Sequence, residues 1–385
     1  MNVRSKLASV VALSGLLMLA VAPAFAAAPA ATLPVGTAPR GVVVLPNNDI
    51  AVANGGSNNV TVYRGGCTPA CSYAQIAGSP FPVGTGPTSI ARGHIKSTTG
   101  AQDLVTANFN SNDVTVLLNA AGTFATRFNV PAGPSPETVV VADFNNDGFD
   151  DIAVTNATGA APSVTILRNL GNCAALHSAA CFAPTTVSLA VPGLVLLPWG
   201  LAVGHFQSAS SVDLVVSNYY SSDLGGHSAA VLFNNGSGAF TVNAYYNAGF
   251  YTPYVSAGRD TGGGQTVDDF VVSQYGGALY VFLNNGSGSF TGPVTPLPNA
   301  GTTPLAITHG QLTGNGRPDV VVTNYTAAAM TILTGAAGGV FGSPNTITVG
   351  KYPDAVAVSD LGNGSPDIVV VNQGDNNIMI FLGPF

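Results

Sequence analysis

Apolar residues in this chain fall in short runs of Val, Ile, Leu and Ala, broken by Gly, Pro, Asn and Asp. That pattern predicts strands joined by tight turns. One phrase occurs seven times: an Asp, three apolar or small residues, one small residue, then Asn or Gln. Its copies are Asp49–Asn54, Asp103–Asn108, Asp151–Asn156, Asp213–Asn218, Asp269–Gln274, Asp319–Asn324 and Asp367–Asn372, with anchor aspartates 48 to 62 residues apart. A polar loop and another strand follow each phrase, such as Val114–Leu118 or Ile378–Leu382. A glycine turn ending in an aromatic comes next, as in Gly122–Phe124, Gly238–Phe240, Gly288–Phe290 and Gly339–Phe341. A Pro-led apolar strand such as Pro353–Val358 precedes each anchor.

Each unit therefore reads as four short strands, at the period of a propeller blade. A lone four-stranded sheet cannot bury both its faces, so neighbouring units must pack against one another. Helical solenoids are excluded by the glycine, proline and β-branched content. The predicted fold is an all-β, seven-bladed propeller over residues 27–385, with blades at about 37–82, 83–130, 131–190, 191–245, 246–298, 299–349 and 350–385. The last unit stops at Phe385 after its third strand. The segment 31–36, beginning Ala31-Thr-Leu-Pro, is expected to supply the missing outer strand and close the ring.

Composition narrows the picture. Only 8% of residues are charged, while 47 glycines and 26 prolines mark a turn-rich chain. Residues 1–26 have the form of a cleavable secretory leader: Arg4 and Lys6, an apolar Val10–Val21, then Ala24-Phe25-Ala26 before the cut. No later run is long and apolar enough to span a membrane. The formal net charge is −7, and losing Arg4 and Lys6 makes it more negative still. With no basic stripe, nucleic-acid binding is excluded. The four cysteines, in the pairs Cys67/Cys71 and Cys173/Cys181, suit an exported chain and predict two local disulfides. Localisation is thus expected to be secreted, periplasmic or cell-surface. Nothing in the sequence specifies an oligomer.

One copy of the repeat carries candidate chemistry. In Asp143-Phe-Asn145-Asn-Asp147-Gly-Phe149-Asp-Asp151, oxygen-bearing side chains sit at the first, third, fifth and ninth positions, with a glycine at the sixth. Ca²⁺ takes 6–8 oxygen ligands, and this alternation lets one tight loop supply most of them. Apolar strands flank the loop, so it is no helix–loop–helix hand, and Val154 occupies the position where that motif needs glutamate. This loop, together with Asn284–Phe290, resembles the FG-GAP/VCBS repeats of the integrin-α-like propeller superfamily. The resemblance covers essentially the whole chain after the leader as a repeat pattern, with the ion motif complete in one blade. It implies Ca²⁺ ligands at Asp143, Asn145, Asp147 and Asp151, with the Phe149 carbonyl. It also implies a largely structural ion and ligand binding on the opposite face. In the other blades the loop has lost ligands, yet the anchor aspartate persists, which predicts that it pins the turn by accepting backbone hydrogen bonds.

Active-site motifs are missing: no H-E-x-x-H, no G-x-S-x-G, no phosphate loop with lysine. His94, His205 and His309 are expected at exposed hairpin tips, and Asp268 as a solvated neighbour of its anchor. The more suggestive surface is the face away from the calcium loop. The residues after the leading prolines, Arg40, Thr88, Glu137, Trp199, Tyr254, Leu305 and Asp354, should ring its centre. Nearby loops bring Phe109, Tyr219, Tyr220, Phe250, Tyr251, Tyr275 and Tyr325, beside the amides of Asn108, Asn218, Gln274 and Asn324. The predicted ligand-binding face is Arg40, Glu137, Trp199, Tyr219, Tyr220, Tyr254, Tyr275, Tyr325 and Asp354. Aromatic rings beside polar groups suit stacking on sugars or anchoring a protein. The expected function is a non-catalytic, calcium-stabilised module binding extracellular carbohydrate or protein. The alternatives are a polysaccharide-active lyase or hydrolase built from Arg40, Glu137 and Asp354, and a purely structural protein.

Overall fold

The computed structural model describes residues 28–385 except 69, 159, 224–225, 261–265 and 298–299. The expected leader, 1–26, lies outside the described residues. These residues form seven sheets, each with a path of four antiparallel strands, and in six of them the strands run outward in chain order. The innermost strands, Pro39–Val44, Pro87–Gly93, Pro136–Ala142, Leu196–Gly204, Val255–Gly258, Pro304–Gly310 and Pro353–Asp360, touch one another in sequence and the last touches the first. The ring is closed, as predicted. Its seventh sheet takes its outer strand from Ala31–Pro34, which pairs antiparallel with Asn377–Phe381 through Ala31↔Ile380 and Leu33↔Ile378.

The recurring phrase is the second strand of each blade, and its continuous apolar character follows from burial on both faces. Successive side chains point to opposite sides of a strand. Ala153 accordingly enters the core shared with the fourth blade, while Ile152 and Val154 enter the core shared with the second. Val369 and Val371 pack toward the first blade, Ile368 and Val370 toward the sixth. Seven hydrophobic clusters result, one at each blade junction.

The anchor aspartates pin the turns at the hairpin face. Asp103 accepts the Asn119 N–H at 2.7 Å on Oδ1 and the Ile95 and Lys96 N–H groups on Oδ2, and Asp213 and Asp319 repeat the pattern. A signal not read from sequence ties blades together here. The Asn169 amide donates to the Ile95 carbonyl of the preceding blade, Asn234 to Phe144 and Asn284 to Phe206, each within 2.9 Å. Both expected disulfides, Cys67–Cys71 and Cys173–Cys181, are present. The second closes a loop containing a single helical turn, Cys173–Leu176, and the 3₁₀ turn Ala179–Cys181. Among the described residues no helix is long and apolar enough to cross a membrane.

Removing residues 28–36 leaves Asn377–Phe381 as a bare edge and uncovers the core between the seventh and first blades. The melting temperature should fall by roughly 10 °C or more; a truncated chain that melts with the intact one would refute closure by this strand.

Candidate functional site

The face opposite the hairpin tips is built from the chain leading into each blade and the loop after each phrase. Six residues after its Asp, the phrase hands over to Tyr275, Tyr325 and Gln373 in the last three blades. Their N–H groups donate to the carbonyls of Tyr251, Thr303 and Tyr352, near the leading proline. Those three carbonyl-bearing residues hold left-handed φ values of 53° to 57°. The chain there is thus fixed by hydrogen bonding despite a sparsely populated conformation. In the sixth and seventh blades a glycine three residues before the proline, Gly301 or Gly350, lies against the amide that ends the phrase. At Gly301, φ 118°, a Cβ would sit 2.0 Å from Asn324 Oδ1, which no side chain tolerates.

This framework surrounds a hollow of about 260 Å³ at the propeller axis, lined by Arg40, Trp199, Tyr219, Pro253, Tyr254, Tyr275, Leu305, Tyr325 and Asp354. Seven of the nine predicted face residues therefore meet in one place. Glu137 lies beneath, only 1% exposed, and Tyr220 stands outside, exposed, at 6.4 Å from the Tyr251 ring. The aromatic wall is continuous: Trp199 to Tyr219 is 5.1 Å between ring centroids, Tyr219 to Tyr251 is 5.5 Å and Tyr219 to Tyr275 is 5.8 Å. Tyr325 stacks on Tyr352 at 5.0 Å. Asn108, Asn218 and Asn324 do not reach the mouth as expected. All three are buried, and their amides hold the adjoining turn through Asp113 and Thr115, the His227 carbonyl and Thr331. A larger hollow of about 520 Å³ lies between the first two blades on the hairpin side. It has no aromatic lining, and its Arg64 is already engaged by Asp49 at 3.1 Å and the Gly122 carbonyl at 2.9 Å.

Charge at the axial mouth is concentrated in three groups. Arg40 Nε donates to Asp354 Oδ2 at 3.2 Å, and Gln373 donates to the same oxygen at 3.0 Å while accepting from the Tyr325 hydroxyl at 2.8 Å. Burial pushes the Asp354 carboxyl up, with the Arg40 charge and hydrogen bond pulling against it. Glu137 hydrogen-bonds through neither carboxylate oxygen. Burial pushes it up to about 8, opposed by Arg40 and reinforced by Asp354.

At the opposite face, Asp143 accepts the Asp147 and Gly148 N–H groups, Asp147 accepts the Phe149 N–H, and the Asn145 amide donates to Asp147. Asp151 serves first as the anchor, taking the Asn169 N–H on Oδ1 at 2.7 Å and the Phe144 N–H on Oδ2 at 3.0 Å. Among the described residues no three His, Cys, Asp or Glu side chains form a metal-holding cluster.

A family model described as an FG-GAP-like repeat matches residues 99–154 and 264–322, which include the second strands of the second and fifth blades and end within those of the third and sixth. The chain is a β-propeller that carries FG-GAP-like repeats over those residues. No curated protein matches its sequence. Among solved structures it is similar to virginiamycin B lyase from Staphylococcus aureus, with 14% identity and a TM-score of 0.60 over 92% of this chain and 99% of that one. It is also similar to the BP39L lectin from Burkholderia pseudomallei, with 17% identity and a TM-score of 0.62 over 91% and 99%. At these identities the likeness shows the propeller fold alone.

The histidines of this propeller depart from expectation. His94 and His205 are partly exposed, but each approaches the carboxylate of the next blade, Asp150 at 3.9 Å and Asp268 at 3.1 Å. Asp268 is thus not a solvated neighbour of its anchor; Arg259 also holds it at 3.2 Å. His309 is no exposed tip. It is buried against Asp260 at 2.9 Å, with Ser256 Oγ 2.7 Å from Nδ1. The cause is local: Asp260 stands where other blades place a buried Phe144, Phe206 or Leu312, so the junction needs a polar partner.

Glu137 yields a stability prediction. A carboxyl whose folded pKa is raised contributes most below its unfolded pKa, and that contribution is lost as pH rises through the folded value. Glu137→Gln should match the native chain near pH 4 and exceed it by roughly 5 kcal/mol above pH 8. A difference that does not change with pH in denaturant titrations would contradict the buried, unpartnered carboxyl.

Proposed function

We propose that this propeller is an exported, non-catalytic binding module whose axial mouth takes an extracellular carbohydrate. The observation that supports this reading is the aromatic wall of Trp199, Tyr219 and Tyr275 beside the polar Arg40–Asp354–Gln373 chain. Sugar rings present apolar C–H faces bounded by hydroxyls, and such a ligand stacks on aromatic faces while its hydroxyls meet the polar groups. Export rests on the form of residues 1–26 and agrees with the two disulfides. Trp199→Ala should weaken glycan binding at least tenfold, about 1.4 kcal/mol, in an array screen followed by calorimetry. Undiminished binding would remove the site from the axial mouth, and turnover of a bound polysaccharide would replace the module with an enzyme.

The hairpin loop of the third blade fits Ca²⁺. Asp143, Asn145 and Asp147 would supply side-chain oxygens and Phe149 its carbonyl, with Asp151 offering lone pairs beyond its two backbone bonds. The ion would stabilise this loop and stand apart from the ligand face. Ca²⁺ should raise the melting temperature of the native chain by a few degrees and leave Asp147→Ala unmoved. An equal rise in both would refute the assignment.

A further inference from the structure

Three charged side chains meet at the axial mouth, and their accessibilities differ sharply. The Arg40 side chain is 35% exposed, whereas Asp354 is 2% and Glu137 1% exposed. A ligand entering the mouth therefore meets the guanidinium as the most accessible charge, with Asp354 in the wall behind it and Glu137 outside the lining. Arg40 is engaged through Nε alone, and its Nη groups make no hydrogen bond among the described residues. Asp354 is itself held by Gln373, and Gln373 by Tyr325, so the guanidinium is oriented before any ligand arrives. A planar fork with a free edge matches a carboxylate bidentately. Beyond it lies a second hollow of about 310 Å³ that includes Thr88 and Phe109 in its lining and shares Arg40 with the first. The guanidinium thus stands between two depressions, each near the size of a sugar unit.

We propose that the mouth recognises a carboxylated sugar, a uronate unit within an otherwise sparsely charged glycan, with Arg40 as partner of the carboxylate and the Trp199 wall as platform for the ring. This rests on the carbohydrate reading above. The charge of the whole chain, −7, repels dense polyanions at long range, so a singly charged unit is the matched ligand. The groups facing Glu137 are Arg40, Asp354 and Tyr254. Below about pH 8 Glu137 is neutral and leaves the guanidinium charge available; above it, a second carboxylate competes for Arg40.

The test is calorimetry of the full folded protein with an aldobiouronic acid and the matched neutral disaccharide, from pH 6 to pH 9.5. At pH 6.5 the acid should bind about tenfold more tightly, a preference of about 1.4 kcal/mol. The preference should shrink as pH passes 8, and Arg40→Gln should bring the acid to the neutral sugar's affinity. Equal affinities at pH 6.5, or a preference retained in Arg40→Gln, overturn the carboxylate assignment while leaving the carbohydrate reading standing. If Arg40→Gln fails to fold, the native pH series decides, and a preference unchanged to pH 9.5 overturns the assignment. Failure of both disaccharides and of the glycan array to bind overturns the carbohydrate reading with it.

Discussion

Every blade depends on having a neighbour on each side. The second strand of each sheet carries apolar side chains on both faces, so neither face can be left to water without losing the burial that offsets chain entropy. A row of such sheets satisfies all its members only by closing. The four-residue strand Ala31–Pro34 therefore matters out of proportion to its length, since it completes the seventh sheet and joins the two ends of the chain. The anchor aspartates and the Asn169, Asn234 and Asn284 amides act at the same junctions, converting packed sheets into a fixed register.

Closure also creates the site. Five of the seven residues that follow the leading prolines, Arg40, Trp199, Tyr254, Leu305 and Asp354, line the axial hollow, so positions scattered over more than 300 residues of sequence become neighbours. Arg40 and Asp354 come from opposite ends of the chain yet form an ion pair, because the first and seventh blades adjoin. Tyr275 and Tyr325 reach the mouth from loops whose N–H groups bond to crossover residues, Tyr251 and Thr303, that hold left-handed φ values. A buried carboxyl without a hydrogen-bond partner, as at Glu137, is costly to a fold. Its place beside the most accessible charge of the mouth ties that cost to the site and not to the core.

Much of this was legible in the sequence because repetition makes geometry readable. The Asp-led phrase marks one strand in each blade, the spacing gives the blade count, and the missing fourth strand at Phe385 points to the N-terminus. Those same registers put the predicted ring of residues on one face, with Trp199, Tyr254 and Asp354 in a common hollow. What was not legible depends on contacts between blades. Asn108 and Asn324 look like surface amides in a linear reading, but they are buried turn clamps. His309 looks like a loop residue until Asp260 from the neighbouring blade is placed against it. Likewise, Glu137 shares the spacing of its ring neighbours, and only the closed structure shows it buried outside the hollow that Arg40 and Asp354 line.

The chain contains one tryptophan, and it stands in the wall of the axial hollow. The most direct measurement is therefore a titration of its intrinsic fluorescence with a glycan that calorimetry shows to bind. Occupation of the mouth predicts a saturable change in Trp199 emission, with the same midpoint as the calorimetric isotherm. A glycan that saturates the protein while leaving that emission unmoved would place binding elsewhere and contradict the axial site.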